Sequence, residues 1–259
     1  MTIRRGLRAE VQLGMSMLGV LGLCLVGGCG APVEAVAQGA ALTASDKDNP
    51  NPALFEKDSH PFGLSMETWS EIFARWVWSV PESKNPNFNT AGDCSANQDG
   101  PVFFLPFVPS GATNIVSCSV PAHKAIALNL VSILNDYPCP DPTFKPAPGQ
   151  TLFDFLALGA KQGIDAVAEI DVALDGHPLT DVMSYRVASD DLMYFKGDVS
   201  LQQIDNCITG SWQPAAANSY FMMVKPLPPG PHTFTLRYVS TTGKITGPRD
   251  KNFTVLADD

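Results

Sequence analysis

Positive charge is scarce in this chain. Its 259 residues hold 17 Lys and Arg against 26 Asp and Glu, a formal net charge of −9. Nucleic-acid binding takes much of its affinity from basic patches that displace counterions from phosphates, so no nucleic-acid partner is expected. Long apolar runs are missing too. The Leu13 to Val26 stretch falls short of the roughly 20 residues a spanning helix needs. No two cysteines stand at C-x-x-C spacing, and His60, His123, His177 and His232 are scattered singly, so a zinc site is not expected. There is no G-x-S-x-G, S-x-x-K, H-E-x-x-H or phosphate-binding glycine loop. The expectation is no metal, no cofactor and no motif-borne catalytic residue.

What is present begins at the N-terminus. Arg4, Arg5 and Arg8 precede the apolar stretch, which ends in Val26-Gly27-Gly28-Cys29. Residues 1–28 read as an export signal and not as part of the fold. The pattern of an aliphatic residue, small residues and then Cys resembles the bacterial lipoprotein class. That resemblance implies cleavage before Cys29, lipid attached to its sulfur, and a membrane partner held through acyl chains. Gly30, where an inner-membrane retention signal has Asp, resembles outer-membrane cargo. The removed segment carries three Arg and one Glu, so the mature chain is more acidic still. Residues 29–59, rich in Ala, Gly, Pro and Asp, read as a flexible tether.

Beyond Cys24 and Cys29, four cysteines remain: Cys94, Cys118, Cys139 and Cys207. An even count outside the cytoplasm points to two disulfides. Three pairings are possible, and the sequential one, Cys94–Cys118 with Cys139–Cys207, is expected.

The folded unit is placed at 60–259, as a single mainly β domain: an antiparallel β-sandwich with two accessory helices. Met66, Trp69, Ile72, Phe73, Trp76, Val77 and Val80 recur at three- and four-residue spacing, predicting a core helix over 65–80 capped by Ser65 and stopped by Pro81. Thr151 with Asp154 predicts a second over 152–163. Strands are predicted at 102–105, 114–120, 125–131, 168–174, 183–188, 219–225, 232–239 and 251–256.

Three stretches carry a further resemblance. They are Trp69-Ser70 with Arg75-Trp76-Val77-Trp78 to Pro81, the Cys94/Gly100–Leu105/Cys118–Ala125 region, and Lys225-Pro226-Leu227-Pro228-Pro229-Gly230 with His232-Thr233. Together they resemble a family of uncharacterised secreted bacterial proteins, with His123 standing where Gly is the expected residue. The family implies no reaction. The proline turn with its Gly–x–His–Thr also resembles bacterial immunoglobulin-like modules.

Two features are candidates for ligand contact. Asp93, Asn97, Gln98 and Asp99 form a polar cluster beside Cys94, which serves either as a ligand rim or as a hydrogen-bonded loop held by a disulfide. Trp78 falls opposite the apolar stripe of its own helix. Either the loop after Pro81 covers it, or it offers a flat face to a glycan or peptide. The functional expectation is a surface or periplasmic binding or structural module of the cell envelope. The alternative is a hydrolase that uses two carboxylates on envelope or environmental glycans.

Overall fold

The computed structural model describes residues 50–106 and 117–258. The export signal, Cys29 and tether residues 30–49 lie outside the described residues, as does the first part of the strand expected at 114–120. Both helices form where the spacing places them. Helix α1 (Met66–Ser79) starts at Ser65, whose hydroxyl accepts from the Thr68 N–H at 3.2 Å. It stops at Val80, which turns extended (φ −83°, ψ 124°) because a residue before proline is driven out of the helical region. Helix α2 (Leu152–Ile164) starts at Thr151, whose hydroxyl accepts from the Asp154 N–H at 3.0 Å.

Ten strands among the described residues make two five-stranded sheets. The first runs β1 (Val102–Leu105), β3 (Ala125–Asp136), β8 (Trp212–Val224), with β6 (Arg186–Ala188) and β7 (Met193–Lys196) pairing successive parts of β8. The second runs β2 (Cys118–Val120), β10 (Ile245–Val255), β9 (Gly230–Ser240), β4 (Val167–Leu174), β5 (His177–Pro178). The sheets are mixed, which corrects the expectation of an antiparallel sandwich. β1 lies parallel to β3 and β2 parallel to β10. The chain leaves the first sheet after β1, lays β2 in the second and returns as β3. A crossover of this kind makes the two neighbours parallel.

The core has two layers. Between the sheets lie Phe103, Leu105, Ile126, Leu128, Met222, Val224, Phe234 and Phe253, among others. Between the first sheet and α1 lie Phe104, Phe221 and Met223 with Trp69, Phe73 and Trp76. The first sheet is therefore covered on both faces. That is why Val102-Phe103-Phe104-Leu105 reads as an unbroken apolar run and not as an alternation. Helix α2 covers a further part of β3 and β8. Gly159 and Gly163 allow this close approach: a Cβ on Gly163 would stand 2.8 Å from Ile133.

Several boundaries differ from the expectations. Residues 50–59, read as tether from composition, belong to the fold: Leu54 is fully buried, and Lys225 donates its N–H to the Ala53 carbonyl at 2.8 Å. The strand expected at 183–188 is a 3-10 turn (Val182–Tyr185) followed by three-residue β6. Strands β3, β8 and β10 run well beyond their expected spans. His123 sits at φ +60°, the conformation glycine adopts most freely, on the turn before Lys124.

Candidate functional site

The residues singled out in the sequence are built into the scaffold. Trp78 is 0% exposed, its ring 5.2 Å from that of Phe88 in the loop after Pro81. Asn85 organises that loop. Its amide donates to the carbonyls of Val77 and Val80, which α1 leaves unsatisfied at its C-terminus, and its oxygen accepts from Asn87. Gln98 closes the free edge of β1: its oxygen accepts the Phe104 N–H at 2.6 Å and its amide donates to the Phe104 carbonyl at 2.9 Å. One side chain thus occupies the place of a neighbouring strand. Asp93 accepts from the Ser95 hydroxyl (2.7 Å) and N–H (2.8 Å), bonds that hold its carboxyl below the usual range. Asn97 donates to the Ser79 hydroxyl, and Asp99 is exposed. The cluster is a hydrogen-bonded loop tied by the Cys94–Cys118 disulfide.

A different constellation faces solvent. Trp69 and Trp76 are buried, their indole N–H groups bonded to the carbonyls of Pro61 and Ala96, and Trp78 is buried with them. Trp212 is 50% exposed. It opens β8; Gln213 then turns inward and Pro214 outward. The register sets Lys196 opposite Trp212 and Tyr194 opposite Pro214. Opposed residues share a face of a sheet, so these four side chains lie together. Tyr194 is 51% exposed. On the other side of β8, Tyr137 donates its N–H to the Pro214 carbonyl at 3.0 Å, which extends the pairing with β3 by one residue. Proline has no N–H to return, and the ladder ends there.

The backbone under these rings is locked. Gln213 is 1% exposed. Its amide donates to Asp136 Oδ2 at 2.6 Å and to the Cys207 carbonyl at 3.0 Å, and its oxygen accepts the N–H and hydroxyl of Thr209, both at 2.8 Å. The two donors and two acceptors of this amide are all used. The Cys139–Cys207 disulfide ties the segment after Tyr137 to the loop before Trp212. Asp136, Cys139 and Cys207 cluster within 4.8 Å, but the two sulfurs are bonded to each other and offer no thiolate to a metal. Trp212 and Tyr194 thus stand on a rigid, cross-linked corner, as a recognition surface requires. The signal for this face in the sequence is the alternation Met193-Tyr194-Phe195-Lys196, too short to be separated from its loop.

A second polar place lies where α1 meets β6 and β8. It is a shallow crevice lined by Glu67, Ser70, Glu71, Ser189 and Ser219 among others, without enclosed room for a water. Glu71 accepts from the Ser189 hydroxyl at 2.8 Å and pairs with Arg75 at 3.3 Å. Burial raises its carboxyl above the usual range, against the Ser189 bond and Arg75, and with help from Asp190 and Asp191. His232 lies near the start of β9, bonded to Asp175 at 2.7 Å and to the Pro228 carbonyl at 2.9 Å. It ties the β4–β5 turn to the β8–β9 turn.

No protein-family model matches the chain, and no curated protein matches it.

Proposed function

We propose that this protein is an exported, lipid-anchored binding module of the bacterial envelope, and that it presents the Trp212–Tyr194 face to its ligand. The observation that carries the reading is the contrast among the tryptophans. Three are sealed in the core, while Trp212 stands half exposed beside Tyr194 on a corner fixed by Gln213 and a disulfide. Exposed aromatics on rigid backbone lose little conformational entropy on binding, and they mark recognition surfaces.

The export half of the proposal rests on Val26-Gly27-Gly28-Cys29 and on Gly30, which favours the outer membrane. Two disulfides agree with an oxidising compartment outside the cytoplasm. No helix among the described residues is long and apolar enough to cross a membrane. The second sheet, with its antiparallel β4, β9 and β10, supports an immunoglobulin-like reading of the C-terminal part.

A carboxylate-dependent hydrolase is the second reading, favoured by the raised carboxyl of Glu71 beside Glu67 in the crevice under α1. It ranks lower because Glu71 is already engaged by Ser189 and Arg75.

The test is a glycan and peptide array probed with wild type and with Trp212→Ala. Trp212 is half exposed, so the variant should melt within about 1 kcal/mol of wild type. Loss of array hits at unchanged stability is the expected result. Hits indifferent to Trp212→Ala, or no hits, would remove this face as the binding site.

A further inference from the structure

Lys196 stands directly opposite Trp212 on the exposed face. It is exposed and makes no ion pair among the described residues. Arg237, Lys161, Arg186 and Arg75 are held by carboxylates, while Lys84, Lys145 and Lys244 are exposed like Lys196; what sets Lys196 apart is its place beside Trp212 and Tyr194. In a chain of net charge −9, this face sets a solvent-exposed ammonium beside two half-exposed aromatic rings. From this charge complementarity we propose that the face formed by Trp212, Tyr194 and Lys196 binds a glycan bearing acidic sugar residues. The proposal rests on the binding-module reading above and names its ligand.

The chemistry of the three side chains divides the ligand between them. A pyranose ring has an apolar face of C–H groups and an equatorial rim of hydroxyls. The flat indole of Trp212 and the phenol of Tyr194 match the apolar face, and the phenol hydroxyl can bond the rim. Lys196 lies one cross-strand spacing from Trp212, about 5 Å between Cβ atoms. Its flexible stem carries three N–H donors to a carboxylate on a sugar stacked over the indole. A neutral glycan would leave this ammonium with water only. A polyanion such as nucleic acid needs many cations in a row, and this face has one. Pro214, opposite Tyr194, continues the apolar floor toward the end of β3, where the Tyr137 N–H bonds its carbonyl. The ligand chain is thereby placed across the strands, from β7 over β8 toward the end of β3.

The closing experiment follows tryptophan fluorescence during titration with hexagalacturonic acid and with neutral xylohexaose. Trp212→Phe assigns the signal, since the other three indoles are buried. Hexagalacturonic acid should quench wild type and leave Trp212→Phe unchanged. Lys196→Met should weaken that binding about fivefold, the worth of one exposed charge pair, and reduce its salt dependence. Xylohexaose should bind at least fivefold more weakly than the acidic sugar to wild type, and equally to Lys196→Met. Absence of quenching by hexagalacturonic acid, equal binding of the two sugars to wild type, or indifference to Lys196→Met would overturn the acidic-glycan assignment. Trp212-dependent hits on the array would leave the binding face standing in that case. An array without Trp212-dependent hits takes both readings down together.

Discussion

Lys251 is the residue least expected from its chemistry. It sits on β10 between exposed Asp250 and Asn252, facing inward like Phe253 and Val255, and is fully buried. Burial lowers its ammonium from the ordinary 10.5 to about 8. The unfolded chain therefore holds this proton more tightly than the folded one between about 8 and 10.5. Stability rises with pH through that window, and below about 8 the whole cost of the buried charge is present. That cost is about 3 kcal/mol at pH 7. Lys251→Met, which keeps the length and removes the charge, should raise stability at pH 7 by up to about 3 kcal/mol, and its advantage should shrink toward pH 10.5. Urea midpoints of both proteins at pH 7 and pH 10 decide it; a constant difference between them would show that Lys251 is not the titrating group. The raised hydroxyl of Tyr185 also titrates at high pH, but it does so in both proteins and cancels. Nothing in the sequence marks Lys251 as internal. Its inward direction follows from the pairing of β10 with β9, which is set by residues far away in the chain.

At the scale of elements, legibility follows the range of the forces involved. Helix α1 is readable because its period, its Ser65 cap and the Pro81 stop are all local. The pairing of β1 with β3, and of β2 with β10, is not, since no local property sets a partner. Strand β8 is legible only at its apolar end. Its first half, with Pro214 and a run of alanines, lacks the residues that favour strands and is held by neighbours on both sides. The exposed face of Trp212 and Tyr194 is hidden from the sequence for that reason: Trp212 and Pro214 occupy the illegible half. Trp78 was legible as an exception to its helix's stripe, but its cover comes from the loop at 85–92. That loop yields a prediction. Gly92 approaches the Pro86 backbone so closely that an added Cβ would stand 2.5 Å from the Pro86 nitrogen, and backbone cannot step aside as a side chain can. Gly92→Ala should lift the loop from Trp78 and destabilise the protein by about 1–3 kcal/mol. Asn85→Ala should act in the same direction by leaving the Val77 and Val80 carbonyls unbonded. Both should red-shift the Trp78 emission, while Trp78→Phe removes that shift. Denaturant melts with fluorescence would read stability and uncovering together, and an unshifted spectrum in both variants would show that the loop is not the cover.

Across the whole molecule, the two disulfides do different work. Cys94–Cys118 closes a short loop of sequence separation 24 and holds β2, in the second sheet, to the turn before β1. Cys139–Cys207 spans a separation of 68 and joins the end of β3 to the loop that leads into β8. If the bonds act through the unfolded chain, removal costs about 3.5 kcal/mol for the first and about 4.4 kcal/mol for the second. The second bond also lies behind the face that carries Trp212 and Tyr194. Without it, Cys207 is held by hydrogen bonds such as those to Gln213 and Asp205 and by no covalent link, and Tyr137 loses the tie that holds the segment after it. The Cys139→Ser/Cys207→Ser protein should therefore show two losses that the Cys94→Ser/Cys118→Ser protein does not share: a larger drop in denaturant midpoint, and faster amide exchange at Trp212 and Tyr194 under conditions where both variants stay folded. Local exchange reports opening below the global unfolding limit, so it separates a loosened corner from a weaker fold. Equal exchange at these two residues in both variants would show that Gln213 alone holds the face, and the site would then be built by hydrogen bonds and not by the cross-link.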